Sequence, residues 1–184
     1  GTSGTRLCRL SFSVDLSGAA TPTTAYSATN LVEAHALLAA CGLAVTYGSL
    51  GVDATYNPIV AAVPSLTFYV YVDGMQYKML GARGNVRFRA NIGEFVHAEF
   101  EFLGVYSGGK IASFAATMPV ATTGKYPVQT PPTVFGSSQM TFYGQSVVCR
   151  SLEVDFGNRL EPRPNMNGAN GAVSTVIAQG NATG

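Results

Sequence analysis

The sequence has no tryptophan, two histidines and three cysteines, and only 11% of its 184 residues are charged. Each scarcity narrows what the chain can do. Two histidines, His35 and His97, leave little from which to build a nucleophile–base triad. Cys8, Cys41 and Cys149 are too far apart in sequence for a C-x-x-C metal or redox motif. Three buried thiols in a reducing compartment is the expectation for so sparse a set. Charge is the larger deficit, since ordinary soluble domains carry roughly 25% charged residues. Eleven basic against ten acidic side chains give a net charge of +1, so there is no electrostatic footprint for gripping nucleic acid. Low charge fits a surface covered in large part by neighbours. A coat of Ser, Thr, Asn, Gln and Gly is the alternative.

Charge is absent altogether from two 19-residue windows, Ala34–Val52 and Ala54–Val72. The first contains His35, Gly42, Gly48 and Gly51, and the second Asn57, Pro58 and Pro64. Neither could satisfy its backbone as one spanning helix, so no membrane segment is expected. No basic region followed by an apolar run opens the chain, so no signal peptide is expected either. The length suits one domain over 1–184 with a proper core, and its Gly-rich ends read either as flexible termini or as the ends of a fragment of something longer.

What is present is alternation. Arg6–Leu16 sets Leu10, Phe12, Val14 and Leu16 against Arg9, Ser11, Ser13 and Asp15, a half-buried strand. Leu43–Tyr47 is a short strand. Ser65–Leu80 reads as a hairpin turning at Asp73-Gly74. Gly81–Tyr106 reads as a second hairpin around Ile92-Gly93, with Val86, Phe88 and Ala90 on one face and Arg87 and Arg89 on the other. On its return strand Ala98, Phe100 and Phe102 oppose His97, Glu99 and Glu101. Even register would place Arg87 and Arg89 as cross-strand pairs of Glu101 and Glu99, each pair worth about 0.2–1 kcal/mol. Strands at Gln139–Tyr143 and Val147–Phe156, with a Gly144-Gln145 turn between them, and a last strand at Val173–Ala178 complete the pattern. The one helix expected is Asn30–Cys41, capped by Asn30 with Glu33 three residues on and stopped by Gly42. His35 is expected to be a hydrogen-bonded packing residue. Gly48–Pro64 and the proline-rich Pro119–Ser138 lack regular signals and read as arms. In the first, Tyr56, Asn57, Pro58 and Ile59 are the candidate inter-subunit contacts. The fold expected is mainly β, a two-sheet sandwich or partly closed barrel with one flanking helix.

Chemistry is thinly represented. Gly104–Ile111 approaches the phosphate-binding loop pattern, but Ile111 stands where Ser or Thr would hold magnesium. His97, Glu99 and Glu101 share a strand face without further metal ligands. The spacing of Glu99 and Glu101 would suit a glycosidase pair, but neighbouring arginines would neutralise them. No catalytic, cofactor or metal site is expected.

The ordered set GARGNVRF, IGEFVHAEFEFLGVY, PPTVF (Pro131–Phe135) and LEVDFGNRLEPRPNMNGANG (Leu152–Gly171), with LLAACGLAVTY and YNPIVAAVPSLTFYVYVDG upstream, resembles the tail tube protein of long-tailed bacteriophages. The likeness covers most of residues 30–175. It implies a structural subunit whose six-membered rings stack into a hollow conduit for DNA, in the virion tail after assembly in the host cytoplasm. It implies as partners other copies of the chain, a tape-measure protein and terminator or tip proteins. A bore that transmits DNA must not bind it, so Glu99, Glu101 and Glu153 are the candidate lumen or rim residues, with Arg87 and Arg89 tied up in pairs; the alternative is an ordinary solvated or inter-subunit face. The alternative is a carbohydrate- or receptor-binding β-sandwich, such as an adhesin or tail-tip module. There, without tryptophan, tyrosines would have to carry the contact.

Overall fold

A computed structural model describes residues 6–18, 25–28, 30–48, 53–59, 61–72, 75–111, 140–165 and 172–178. The Asp73-Gly74 turn, the 119–138 arm and the 166–171 part of the Asn/Gly-rich tract lie outside the described residues. The chain is mainly β, with antiparallel pairing throughout and one short helix among the described residues. In order the elements are β1 (Leu7–Asp15), α1 (His35–Ala40), β2 (Leu43–Tyr47), β3 (Ala54–Pro58), β4 (Leu66–Val72) and β5 (Met75–Asn91). β6 (His97–Ile111), β7 (Met140–Phe142), β8 (Gln145–Val147), β9 (Ser151–Asp155), β10 (Arg159–Pro164) and β11 (Ala172–Ala178) follow.

The main sheet runs β1-β6-β5-β4, with β9 also paired to β5. β5 makes this possible by its length of 17 residues. One of its edges pairs with β6, while the other takes β4 at Met75–Ala82 and β9 at Arg87–Asn91. The sheet is curled. β1 and β4 are three strands apart, which in a flat sheet is roughly 14 Å, yet the Phe12 and Phe68 ring centroids lie 6.3 Å apart. Inside the curl Phe102 stacks on Phe12 and Phe100 and meets Phe68 at 4.8 Å. Each such pair adds about 0.5–1.5 kcal/mol to the burial itself. Leu38 and Cys41, at the end of α1, and Leu43 of β2 close this core over Val86, Ala98 and Phe100. Two-stranded sheets β2–β3, β7–β8 and β10–β11 complete the described architecture. Among the described residues no helix is long and apolar enough to cross a membrane.

The helix is shorter than its sequence suggests. Asn30 does not cap it. Its backbone pairs with Ser27 in both directions, and its Nδ2 donates to the Ala25 carbonyl at 3.3 Å. Asn30 thus belongs to a preceding turn, and α1 starts after Ala34 without a side-chain cap. So short a helix depends on packing rather than propensity, and Leu38 and Ala40 are buried. Its end is as expected: Gly42 takes φ +83° and donates to the Ala39 carbonyl at 3.0 Å.

The register of the long hairpin also differs. Arg87 faces Glu99, Phe88 faces Ala98 and Arg89 faces His97, two residues from the expected pairing. A two-residue shift leaves every side chain on its face. The cause is a tighter reversal: the Asn91 carbonyl accepts from Glu94 N–H at 3.1 Å, and Asn91 Nδ2 donates to Glu94 Oε2 at 2.8 Å. Upstream, the expected break between Leu80 and Gly81 is a bulge inside β5, with the register shifting between Leu80 and Arg83.

Part of the Gly48–Pro64 arm is regular. β3 pairs with β2 from Tyr47↔Ala54 to Leu43↔Pro58, and Ile59 N–H donates to the Gly42 carbonyl at 2.8 Å. Pro58 did not prevent a strand because it ends one at a sheet edge, where the missing donor costs little. The same holds for β10, whose Pro162 and Pro164 lie on a strand paired, among the described residues, only to β11. The third turn falls at Tyr143-Gly144, not Gly144-Gln145, and the strand expected over Val147–Phe156 is divided, with Val147 ending β8 and β9 covering Ser151–Asp155. Of the cysteines, only Cys41 is buried, while Cys8 and Cys149 are half-buried. Burial pushes the Cys41 thiol up to about 12.

Candidate functional site

The face of the main sheet turned away from the core gathers most of the charge that the strands carry. Alternation puts Ser11, Ser13 and Asp15 of β1, His97, Glu99 and Glu101 of β6, Asn85, Arg87 and Arg89 of β5, and Glu153 and Asp155 of β9 on it. The registers align them into rows across four strands. One row is Ser13–Glu99–Arg87–Asp155, and the next is Asp15–His97–Arg89–Glu153. Neighbouring strands are about 4.8 Å apart, so each β5 arginine has acidic side chains within reach on both flanks.

The arginines are committed. Arg87 Nη2 lies 2.8 Å from Asp155 Oδ2, and its Nε lies 3.5 Å from Glu153 Oε1. Arg89 bridges Glu99 at 3.0 Å and Glu153 at 3.2 Å. At the β1 edge Arg9 meets Glu101 at 2.8 Å, and His97 Nδ1 lies 2.6 Å from Asp15 Oδ1. Exposed pairs contribute little stability singly, about 0–1 kcal/mol. Their effect is to hold charge in fixed places. Asp15, Glu99, Glu101, Glu153 and Asp155 outnumber Arg9, Arg87 and Arg89, so the face is acidic with no arginine of the network left unpaired.

Asp155 is the best-held member. Asn85 Nδ2 donates to it at 2.8 Å, Arg87 at 2.8 Å and the Gly157 amide at 2.9 Å. The Asn85 and Arg87 hydrogen bonds, then that of Gly157, lower its carboxyl to about 2. A general acid working near neutrality needs the opposite shift. Among the described residues no cluster of three or more His, Cys, Asp or Glu could hold a metal ion. The chemistry this face offers is electrostatic.

The expected lumen residues Glu99, Glu101 and Glu153 thus lie together on one exposed face, and Arg87 and Arg89 pair within it, Arg89 with Glu99 by a diagonal contact. Asp155, Arg9 and Asp15 were not singled out. Asp155 is two residues from Glu153 on the same strand face, which was sufficient signal. The neighbours of β1 and β9 were not legible. Tyr56, Asn57, Pro58 and Ile59 lie elsewhere, on the β2–β3 hairpin and just beyond it. Tyr56 Oη is 3.0 Å from His35 Nδ1, so His35 is the hydrogen-bonded packing residue expected. Burial, then Tyr47 and Tyr26, raise the Tyr56 hydroxyl to about 12. Gly104–Ile111 is no loop but the second half of β6. A Cβ at Gly104 would collide with the Met79 side chain.

Comparison of the chain with protein-family models, with curated proteins and with solved structures finds no match.

Proposed function

We propose that this chain is a structural subunit of a phage tail tube, not an enzyme. Copies assemble side by side into rings, six-membered by the resemblance, that stack around a tape-measure protein and later conduct DNA. The observation that carries the reading is the acidic face: one side of a curled sheet presents Glu99, Glu101, Glu153 and Asp155 while every arginine among them is ion-paired. Such a wall repels phosphates at short range and offers no uncommitted guanidinium to trap them; at physiological salt the field extends about 8 Å. In this reading the curled sheet is the inner wall of a sandwich or partly closed barrel, and α1 lies on the side away from the bore. The outer edge of β1 is unpaired among the described residues, and an open edge invites a strand from a neighbouring copy. The low overall charge agrees with a surface covered by assembly. Tail terminator and tip proteins would close the ends.

Electron microscopy of the purified chain at rising concentration tests this. Rings or tubes with a central hole are the expected result. Dispersed monomers at every concentration, together with binding on a glycan array, would favour the carbohydrate- or receptor-binding module instead. In particles, Glu99→Lys with Glu101→Lys should slow DNA ejection, and an unchanged rate in normal particles would remove these residues from the bore.

A further inference from the structure

We propose that the end of the main sheet bearing the β7–β8 hairpin docks head to tail into an apolar groove at the opposite end of a second copy of this chain. This deepens the assembly reading and rests on it only in naming a second copy as the partner.

The hairpin is a projection. Every residue from Tyr143 to Val148 is exposed, Tyr143 at 93% and Val148 at 101%. A two-stranded hairpin is marginal in water on its own. Its tip has φ +50° at Tyr143 and +75° at Gly144, the type I′ pattern that favours Asn or Asp before Gly. A tyrosine held in the left-handed region points to a use for its side chain. The same end carries more exposed apolar surface. Ile92 N–H donates to the Arg150 carbonyl at 3.2 Å, which brings Ile92 (59% exposed) and Phe95 (44%) to the side of the hairpin.

The groove lies at the far end of β5. Cys8, Leu10, Val70, Tyr77, Met79 and Tyr106 line a volume of about 250 Å³. From Tyr77 to Asn91 is roughly 45 Å along an extended strand, so the hairpin of one copy does not reach the groove of that same copy. Each copy offers one of each end, which makes the contact heterologous and able to propagate. Charge agrees with this pairing. Lys78 at the groove contacts the Tyr69 ring at 5.4 Å, and no carboxylate among the described residues reaches ion-pair distance of it. At the other end Glu94 accepts from Asn91 and has no cation among the described residues within ion-pair distance, although Arg150 lies on the same depression. Docking brings this cation and this acid toward each other.

Cys8 supplies the test, because it lines the groove. In the full chain carrying Cys149→Ser, Tyr143→Cys is added and the protein is oxidised with glutathione disulfide, which is reduced as each pair of thiols becomes one cystine. The expected result on non-reducing gels is a ladder of dimers, trimers and longer species. It should collapse with dithiothreitol and be lost when Cys8→Ser is added. No cross-link, or a dimer alone that survives Cys8→Ser, overturns the docking. In parallel, Tyr143→Ser with Val148→Ser should lower the number of tubes at least tenfold in electron micrographs while rings persist. Tubes at wild-type numbers overturn the docking and leave the tube reading standing. A Cys8-dependent ladder from a wild type that never forms tubes supports the docking and counts against the tube.

Discussion

Replacing Thr175 by valine removes one hydroxyl from a place where three backbone groups converge. The bulge between Leu80 and Arg83 takes Arg83 N–H and the Gly81 carbonyl out of the regular ladder. Thr175, fully buried on β11, completes them. Its Oγ1 accepts from Arg83 N–H at 3.1 Å and lies 2.8 Å from both the Gly81 and Leu103 carbonyl oxygens. The Arg83 side chain adds to the joint by reaching the Thr175 and Val63 carbonyls. Valine keeps the shape, so the loss is polar. An orphaned buried N–H costs about 1–3 kcal/mol and a lost hydrogen bond about 1 kcal/mol, for a total of about 2–4 kcal/mol. In a chain of this length that lowers Tm by about 4–16 °C. Calorimetry on the wild type, Thr175→Val and Thr175→Ser reads it. Serine keeps the hydroxyl and should fall by about 1 kcal/mol for the lost methyl. A valine variant within about 1 °C of wild type, or a serine variant that melts lower than valine, would refute the argument.

Gly84→Ala should destabilise by about 1–3 kcal/mol through overpacking, because the added Cβ would lie 2.6 Å from Phe102 Cε1 and 3.0 Å from Cys41 Sγ. A lowered denaturant midpoint at constant slope is the expected readout, and an unchanged midpoint counts against so tight a contact. Asn158 Nδ2 donates to the Cys41 carbonyl at 2.7 Å and the Gly84 carbonyl at 3.1 Å, tying the end of α1 to β5. Asn158→Ala should therefore cost about 1–3 kcal/mol, read by the same titration. The depressed carboxyl of Asp155 contributes stability that is full above the ordinary carboxylate range and lost as pH falls from about 4 through about 2. Solvent screening holds this to about 1 kcal/mol or less. Asp155→Asn should flatten that part of the acid melting profile, and an identical profile would show that the network does not act on the fold. Cys41 has the opposite sign. Its raised thiol gives stability that is full below about 9 and lost as pH rises toward 12, and Cys41→Ala should lessen that alkaline loss.

Much of this protein was legible as alternation. Arg6–Leu16, the two long strands and Val173–Ala178 carry the period of two that sets faces, so the division into an apolar core face and a charged face followed from sequence alone. Faces survive a register error of two residues, which is why the charged side chains were placed correctly although Arg87 was paired with the wrong glutamate. Gly42 marked the end of the helix because only glycine adopts its φ readily. The start of α1 and the β3 and β10 strands were not legible, since a cap residue can serve a turn instead and proline at an edge is cheap.

What only the tertiary structure decided is adjacency. Nothing local says that β9 pairs with β5, or that β1 covers the other side of β6. Those choices made Asp155 the principal partner of Arg87 and joined five carboxylates into one surface. The curl that brings Phe12 to Phe68 is likewise a property of the whole sheet, set by twist and by bulges that Thr175 completes from a distant strand. Sequence determined which side chains share a face, because backbone geometry imposes that residue by residue. Which faces meet is decided by long-range pairing, where the hydrogen-bond ladder is the same for any partner and only packing and charge discriminate.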